Sequence, residues 1–151
     1  MSMNYVRKLG FIGLMLFVYS HPGASEPAII IAANDAELKW APCPEFIPAG
    51  CEIAVLHGDP AQPNVDILFK VPGNFTIPLH QHTSAERMIL LSGELHVSYE
   101  GQPTATIVVG SYAYGPAQLP HEAHCADGDD CILFIAFEAP LDAIPLVKAG
   151  D

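Results

Sequence analysis

Gly73-Asn74-Phe75-Thr76-Ile77-Pro78-Leu79-His80-Gln81-His82-Thr83-Ser84-Ala85-Glu86-Arg87-Met88-Ile89-Leu90-Leu91-Ser92-Gly93 places two histidines two positions apart and a glutamate four residues further on. In an extended strand, residues i and i+2 point to the same face. His80 and His82 therefore project into one space. Glu86 follows a three-residue turn at the start of the next strand and can fold back toward that space. The same alternation sends Met88 and Leu90 inward with Glu86 and turns Arg87 outward. Val65, Ile67 and Phe69 alternate on an earlier segment and offer another wall, as do Phe134 or Phe137 near the end of the chain. Phe69, Met88, Leu90 and Phe134 are thus candidates for the lining of a pocket, with ordinary core packing as the plainer alternative for each.

A second segment, Gly110-Ser111-Tyr112-Ala113-Tyr114-Gly115-Pro116-Ala117-Gln118-Leu119-Pro120-His121, adds an imidazole from a distant strand. Three neutral nitrogens and one carboxylate oxygen suit a borderline divalent metal. His80, His82, Glu86 and His121 are the candidate ligands. The ion would be one of iron, manganese, zinc, nickel or copper, and four ligands on a six-coordinate ion leave room for water, dioxygen or a chelating substrate. His124 competes with His121 for the fourth place. His57, His96 and His124 otherwise read as ordinary histidines, and His96 faces solvent because Leu95 and Val97 take the opposite face.

The rest of the chain reads as strands divided by turns. Ile53–Leu56 ends at Gly58-Asp59-Pro60, Val65–Lys70 at Pro72-Gly73-Asn74, and Leu95–Tyr99 at Glu100-Gly101. Thr104–Val109, Ser111–Tyr114 and Cys131–Glu138 follow the same habit. Ile29-Ile30-Ile31 is a possible edge strand, and the prolines at 42, 44 and 48 predict a loop. No long amphipathic helix is visible after residue 26. Short strands with glycine and proline turns indicate an all-β sandwich or small barrel.

Arg7 and Lys8 precede an apolar run over Leu9–Tyr19 and small residues at Gly23, Ala24 and Ser25. The run is shorter than the ~20 residues that span a bilayer and matches a signal-peptide core. Residues 1–25 therefore read as a signal peptide cut after Ser25, with a retained anchor as the alternative. Export to the periplasm or beyond makes disulfides the expected state of Cys43, Cys51, Cys125 and Cys131. Spacing leaves all three connectivities open; short loops favour 43–51 and 125–131. The chain has 6 Lys+Arg against 17 Asp+Glu and a formal charge of −11. That balance excludes nucleic acid and anionic membrane as main partners, because phosphate recognition needs clustered cations. A small molecule is the expected partner, with no stable membrane anchor after processing.

The two motif segments resemble those of the cupins. Gly73, His80, His82, Glu86 and Gly93 fit the family's first motif, G-x5-H-x-H-x3/4-E-x6-G, with one extra residue after Gly73. Gly110, Pro116 and His121 fit the second, G-x5-P-x-G-x2-H-x3-N, with Gln118 in place of its glycine and Cys125 in place of its asparagine. The resemblance implies a small jelly-roll barrel with one metal, and the departures spare the ligands. It is similar to small secreted single-domain cupins. The expected organisation is a lead-in and Cys/Pro-rich loop over 26–52, a cupin domain over 53–140 and a C-terminal tail over 141–151. Cupin folds host many reactions, so two classes remain: a metal-dependent enzyme, dioxygenase-like or isomerase/lyase, and a non-catalytic periplasmic metal- or ligand-binding module. The family habit and the apolar Ile29–Ile31 edge also point to a homodimer.

Overall fold

The computed structural model describes residues 26–147, so the signal peptide expected over 1–25 lies outside the described residues. The first six strands are β1 (Trp40–Pro42), β2 (Glu52–His57), β3 (Val65–Val71), β4 (Phe75–Gln81), β5 (Glu86–Ser92) and β6 (Glu94–Tyr99). They are followed by β7 (Ala105–Val108), β8 (Tyr112–Gly115), β9 (His121–Cys125), β10 (Cys131–Phe137) and β11 (Ile144–Pro145). Two antiparallel sheets result, in the orders β1-β2-β3-β10-β5-β8 and β11-β4-β9-β6-β7. This is the all-β jelly roll. Among the described residues no helix is long and apolar enough to cross a membrane.

Strand alternation builds the interior. Along β10, Cys131, Leu133, Ile135 and Phe137 are buried while Ile132, Phe134 and Ala136 are only half-buried. On β6 the buried residues are Leu95 and Val97, with His96 on the other face. The inward sets of both sheets meet in one core with Val65, Ile67, Leu90 and Leu133 among its most enclosed members. Burying such side chains contributes roughly 1.5–3 kcal/mol each.

Tight turns fix the registers on which the site depends. Gly93 joins β5 to β6 at φ +79°, and a Cβ there would come within 2.9 Å of the Asp130 carbonyl oxygen and the Cys131 sulfur. Gln118, which stands where the second motif has glycine, adopts φ 60°. The left-handed conformation costs a residue with a Cβ about 1–2 kcal/mol. A 2.8 Å hydrogen bond from its backbone N–H to the His82 carbonyl offsets part of this.

Three expectations change. Ile29, Ile30 and Ile31 belong to no strand of this chain, so they do not form the edge strand expected within it. Trp40–Pro42, expected as loop, pairs with Glu52–Ala54 as the sheet's outermost strand. Edge positions tolerate proline because its missing N–H faces no partner. Finally, Ile144 and Pro145 in the expected tail pair with Gln81 and His80, which ties the chain after residue 140 to the histidine strand.

Both disulfides join neighbours in sequence, Cys43–Cys51 and Cys125–Cys131, and no cysteine among the described residues is free. Cys125 takes the position of the motif's asparagine and, with Cys131, is fully enclosed. Thiol titration of the unfolded, unreduced protein should find no reactive groups. The Cys131→Ser variant should lose about 2 kcal/mol of stability by denaturant titration, the scale expected for so short a loop. Two or more reactive thiols per chain would contradict the pairing.

Candidate metal centre

His80 is the penultimate residue of β4, His82 follows it by two residues, and His121 opens β9; these strands are neighbours, and His80 pairs directly with His121. The three imidazoles come together with their ligand atoms within 4.8 Å of one another. Glu86, at the start of β5 on the facing sheet, reaches across. Its Oε1 lies 3.4 Å from His82 Nε2 and its Oε2 3.5 Å from His121 Nε2. All four side chains are buried. The structure thus brings together the four residues singled out in the sequence, with Glu86 against two of the three rings.

The hydrogen bonds behind the rings decide their chemistry. His80 Nδ1 meets the Pro78 carbonyl at 2.7 Å, His121 Nδ1 meets the Leu119 carbonyl at 3.0 Å, and His82 Nδ1 meets the Asp142 carbonyl. A carbonyl oxygen only accepts, so each Nδ1 carries its proton. In the neutral ring that leaves the Nε2 lone pair as the free donor. Burial, reinforced by neighbouring imidazoles, keeps the rings neutral: His80 is lowered to about 3 and His82 to about 4. Burial also lowers His121 and pushes the Glu86 carboxyl up to about 8. The contacts between Glu86 and the rings are therefore not ion pairs in the metal-free protein. Clustered buried lone pairs with little to satisfy them fit a divalent cation well.

Residues after 140 take part in this arrangement. Besides its carbonyl bond to His82, Asp142 accepts from the Thr83 backbone N–H at 2.9 Å and from Thr83 Oγ1 at 2.8 Å. This ties the turn between β4 and β5 and so holds the separation between His82 and Glu86. Sequence reading missed Asp142 because its partners lie about 60 residues away.

The imidazoles and Glu86 form one end of a cavity of about 340 Å³, whose other walls include Ile67, Phe69, Met88, Ile135 and Phe137. Phe69 and Met88 line it as expected from alternation. Leu90 and Phe134 do not. Leu90 points inward but lies further along β5, packed into the core opposite Leu133. Phe134 is on the outer face of β10, opposite Leu68, and Phe137 takes the inward place opposite Glu86. Arg87 turns outward and pairs with Glu138. His124 also faces outward, beside Thr76, and so leaves the inner place to His121.

Tyr99 was legible only as the last member of the Leu95, Val97, Tyr99 alternation. Its ring packs 5.1 Å from that of His121, it lines the cavity, and its buried hydroxyl has no hydrogen-bond partner among the described residues. Burial, with Glu86 nearby, raises its pKa, which keeps the phenol protonated. Gly115 makes room for this pair of groups: a Cβ there would lie 3.0 Å from both Glu86 Oε2 and the Tyr99 hydroxyl. Gly115→Ala should therefore displace Glu86 and weaken metal binding by about tenfold, the lower end of what disturbing a ligand's support costs. A metal titration giving the wild-type affinity would refute the crowding.

A two-sheet jelly roll with three histidines and a glutamate at one end of its cavity defines a cupin. The chain belongs to the family described as the ChrR cupin-like domain, which it matches over residues 29–140. Solved structures agree on the fold. The lyase DddQ for DMSP from Ruegeria pomeroyi superposes with a TM-score of 0.64 at 17% identity, over 76% of this chain and 64% of that one. The polyketide cyclase RemF from Streptomyces resistomycificus gives 0.63 at 19% identity, over 82% of this chain and 89% of that one. An RmlC-like cupin from Shewanella frigidimarina gives 0.56 at 19% identity, over 70% and 86%. The chain thus spans about 64% of the length of the Ruegeria lyase. No curated protein matches the sequence.

Proposed function

We propose that the chain is a metal-dependent enzyme acting on a small molecule. In this reading His80, His82, Glu86 and His121 hold one divalent ion, and the substrate sets an oxygen group against that end of the cavity and its carbon skeleton against the apolar walls. The observation that carries the reading is the placement of the four buried candidate ligands at one end of a cavity of about 340 Å³ whose other walls are apolar. An ion held for structure alone has no use for such a space, whereas a small substrate does.

When bound, the ion supplies Lewis-acid polarisation of that oxygen. The chain's own groups supply the rest. The Tyr99 O–H donates to the oxygen as negative charge develops on it, in a place where no solvent reorganisation is needed. Phe69, Met88 and Ile135 exclude water and favour an apolar skeleton. This division suits lyase or isomerase chemistry that passes through enolate-like charge, on a small carboxylic or enolisable substrate. A lyase and a cyclase among the structural neighbours accord with that class, though at their identities they carry the fold alone.

A panel of small carboxylic acids and enolisable ketones, followed with an oxygen electrode alongside, tests the proposal. Elimination or isomerisation without oxygen uptake is expected. Tyr99→Phe should lower kcat about 100-fold, as loss of an oxyanion donor does, with metal content unchanged. Equal rates in the two proteins would overturn the role of Tyr99. Turnover that consumes oxygen would replace the proposed chemistry with a dioxygenase. Specific binding without turnover would favour the non-catalytic module.

The same reading places the mature protein outside the cytoplasm, supported by the two disulfides, which persist in oxidising compartments. Assembly as a homodimer is part of it too, and light scattering of the purified protein decides that point.

A further inference from the structure

We infer that His96 and His124, with Glu122, form a second binding site for a divalent transition-metal ion on the outer face of the five-stranded sheet. The inference is independent of the inner centre. His96 on β6 and His124 on β9 are direct cross-strand partners. Opposed residues in an antiparallel pair have Cβ atoms about 4.5–5.5 Å apart and share a face. That face is the outer one, because Leu95, Val97, Ala123 and Cys125 from the same two strands are buried in the core. Glu122 precedes His124 by two residues and so joins the same face, opposite Ser98. Thr76, Thr104 and Ser98 complete a groove of about 250 Å³ around these groups.

Hydrogen bonds already prepare the rings. Glu94 Oε1 lies 2.9 Å from His96 Nε2. A carboxylate only accepts, so the neutral ring carries its proton on Nε2 and offers Nδ1, the arrangement in which a carboxylate braces a metal-binding imidazole. His124 Nδ1 is 3.2 Å from Thr76 Oγ1, which leaves Nε2 as that ring's other donor. The ring centroids are 6.5 Å apart, against 4.3–5.4 Å among the three inner rings. Zinc-bound nitrogens lie about 2.0–2.1 Å from the ion, so the two rings and Glu122 must turn toward one another to share it. The His96 side chain is 40% exposed and free of core packing, so it can turn. Two imidazoles and a carboxylate select zinc, nickel or copper over calcium or magnesium. The acidic chain, at formal charge −11, raises the local concentration of any such cation.

Equilibrium dialysis of the full chain against zinc alone tests this. The wild type should bind two ions, one tightly and one with micromolar affinity. His124→Gln should remove only the weak ion. Doubly substituted His80→Ala/His82→Ala protein should lose the tight ion and keep the weak one, which separates failure of this inference from failure of the inner centre. His96→Gln, on the neighbouring strand, provides a second variant if His124→Gln does not fold. A wild type that binds no weak ion, or a weak ion that survives both outer substitutions, would overturn the inference.

Discussion

Substituting His82 by Ala should empty the inner centre. The wild type is expected to carry about one divalent ion per chain, and the variant to bind it more than about 100-fold more weakly, beyond the loss that removal of a supporting partner alone produces. His82 joins more of the site than its fellow ligands. Its Nε2 adjoins Glu86, its Nδ1 donates to the Asp142 carbonyl, and its own carbonyl accepts from Gln118. The backbone link to Gln118 survives the substitution, so the sheet should stay intact and the loss should appear in metal content before stability. Elemental analysis with circular dichroism checks both. Undiminished stoichiometric binding in a folded variant would remove His82 from the ligand set.

Metal binding at pH 7 should release about one proton, and that proton should come from Glu86. Its carboxyl is pushed up to about 8 by burial, so it is mostly protonated at pH 7 and must ionise to act as a ligand. The imidazoles contribute little, since His80 and His82 are held at about 3 and 4. A free imidazole titrates near ~6.5 and would give acid weakening there; burial transfers that role to the glutamate. Affinity should rise about tenfold per pH unit below pH 8 and level off above it. Titration calorimetry in two buffers of different ionisation enthalpy measures the proton count, and Glu86→Gln should abolish it. An unchanged release in that variant would contradict the assignment. Stability without metal follows the same shifts. The raised Glu86 gives a contribution that is full below its unfolded value of 4.5 and is lost as pH rises through about 8. The lowered histidines give one that is full above 6.5 and is lost as pH falls toward 4 and 3. The metal-free protein should therefore be most stable at about pH 6.5 to 7 and weaken on both sides.

The sequence carried the histidine strand well because its information is local. A period of two sends His80 and His82 to one face, and the same rule places Met88 and Phe69 in the cavity wall. It carried less where three dimensions decide. Leu90 obeys the period yet lies too far along β5 to reach the cavity. Phe134 and Phe137 differ by three residues and hence by face, and only the register of β10 against β5 shows which of them meets Glu86. Asp142 and Gly115 act through contacts distant in sequence, and neither residue type signals a role. The triple isoleucine illustrates the opposite error. Its β propensity is high, but propensity describes fitness for a sheet and not the presence of a partner.

The central claim is that the Nε2 atoms of His80, His82 and His121, joined by Glu86, hold one divalent ion. X-ray absorption spectroscopy of the protein loaded with one equivalent of zinc tests it most directly. Scattering from three imidazole rings at about 2.0–2.1 Å together with at least one oxygen is expected, falling to two rings in the His121→Ala protein. A spectrum dominated by oxygen ligands, or three rings retained after that substitution, would contradict it.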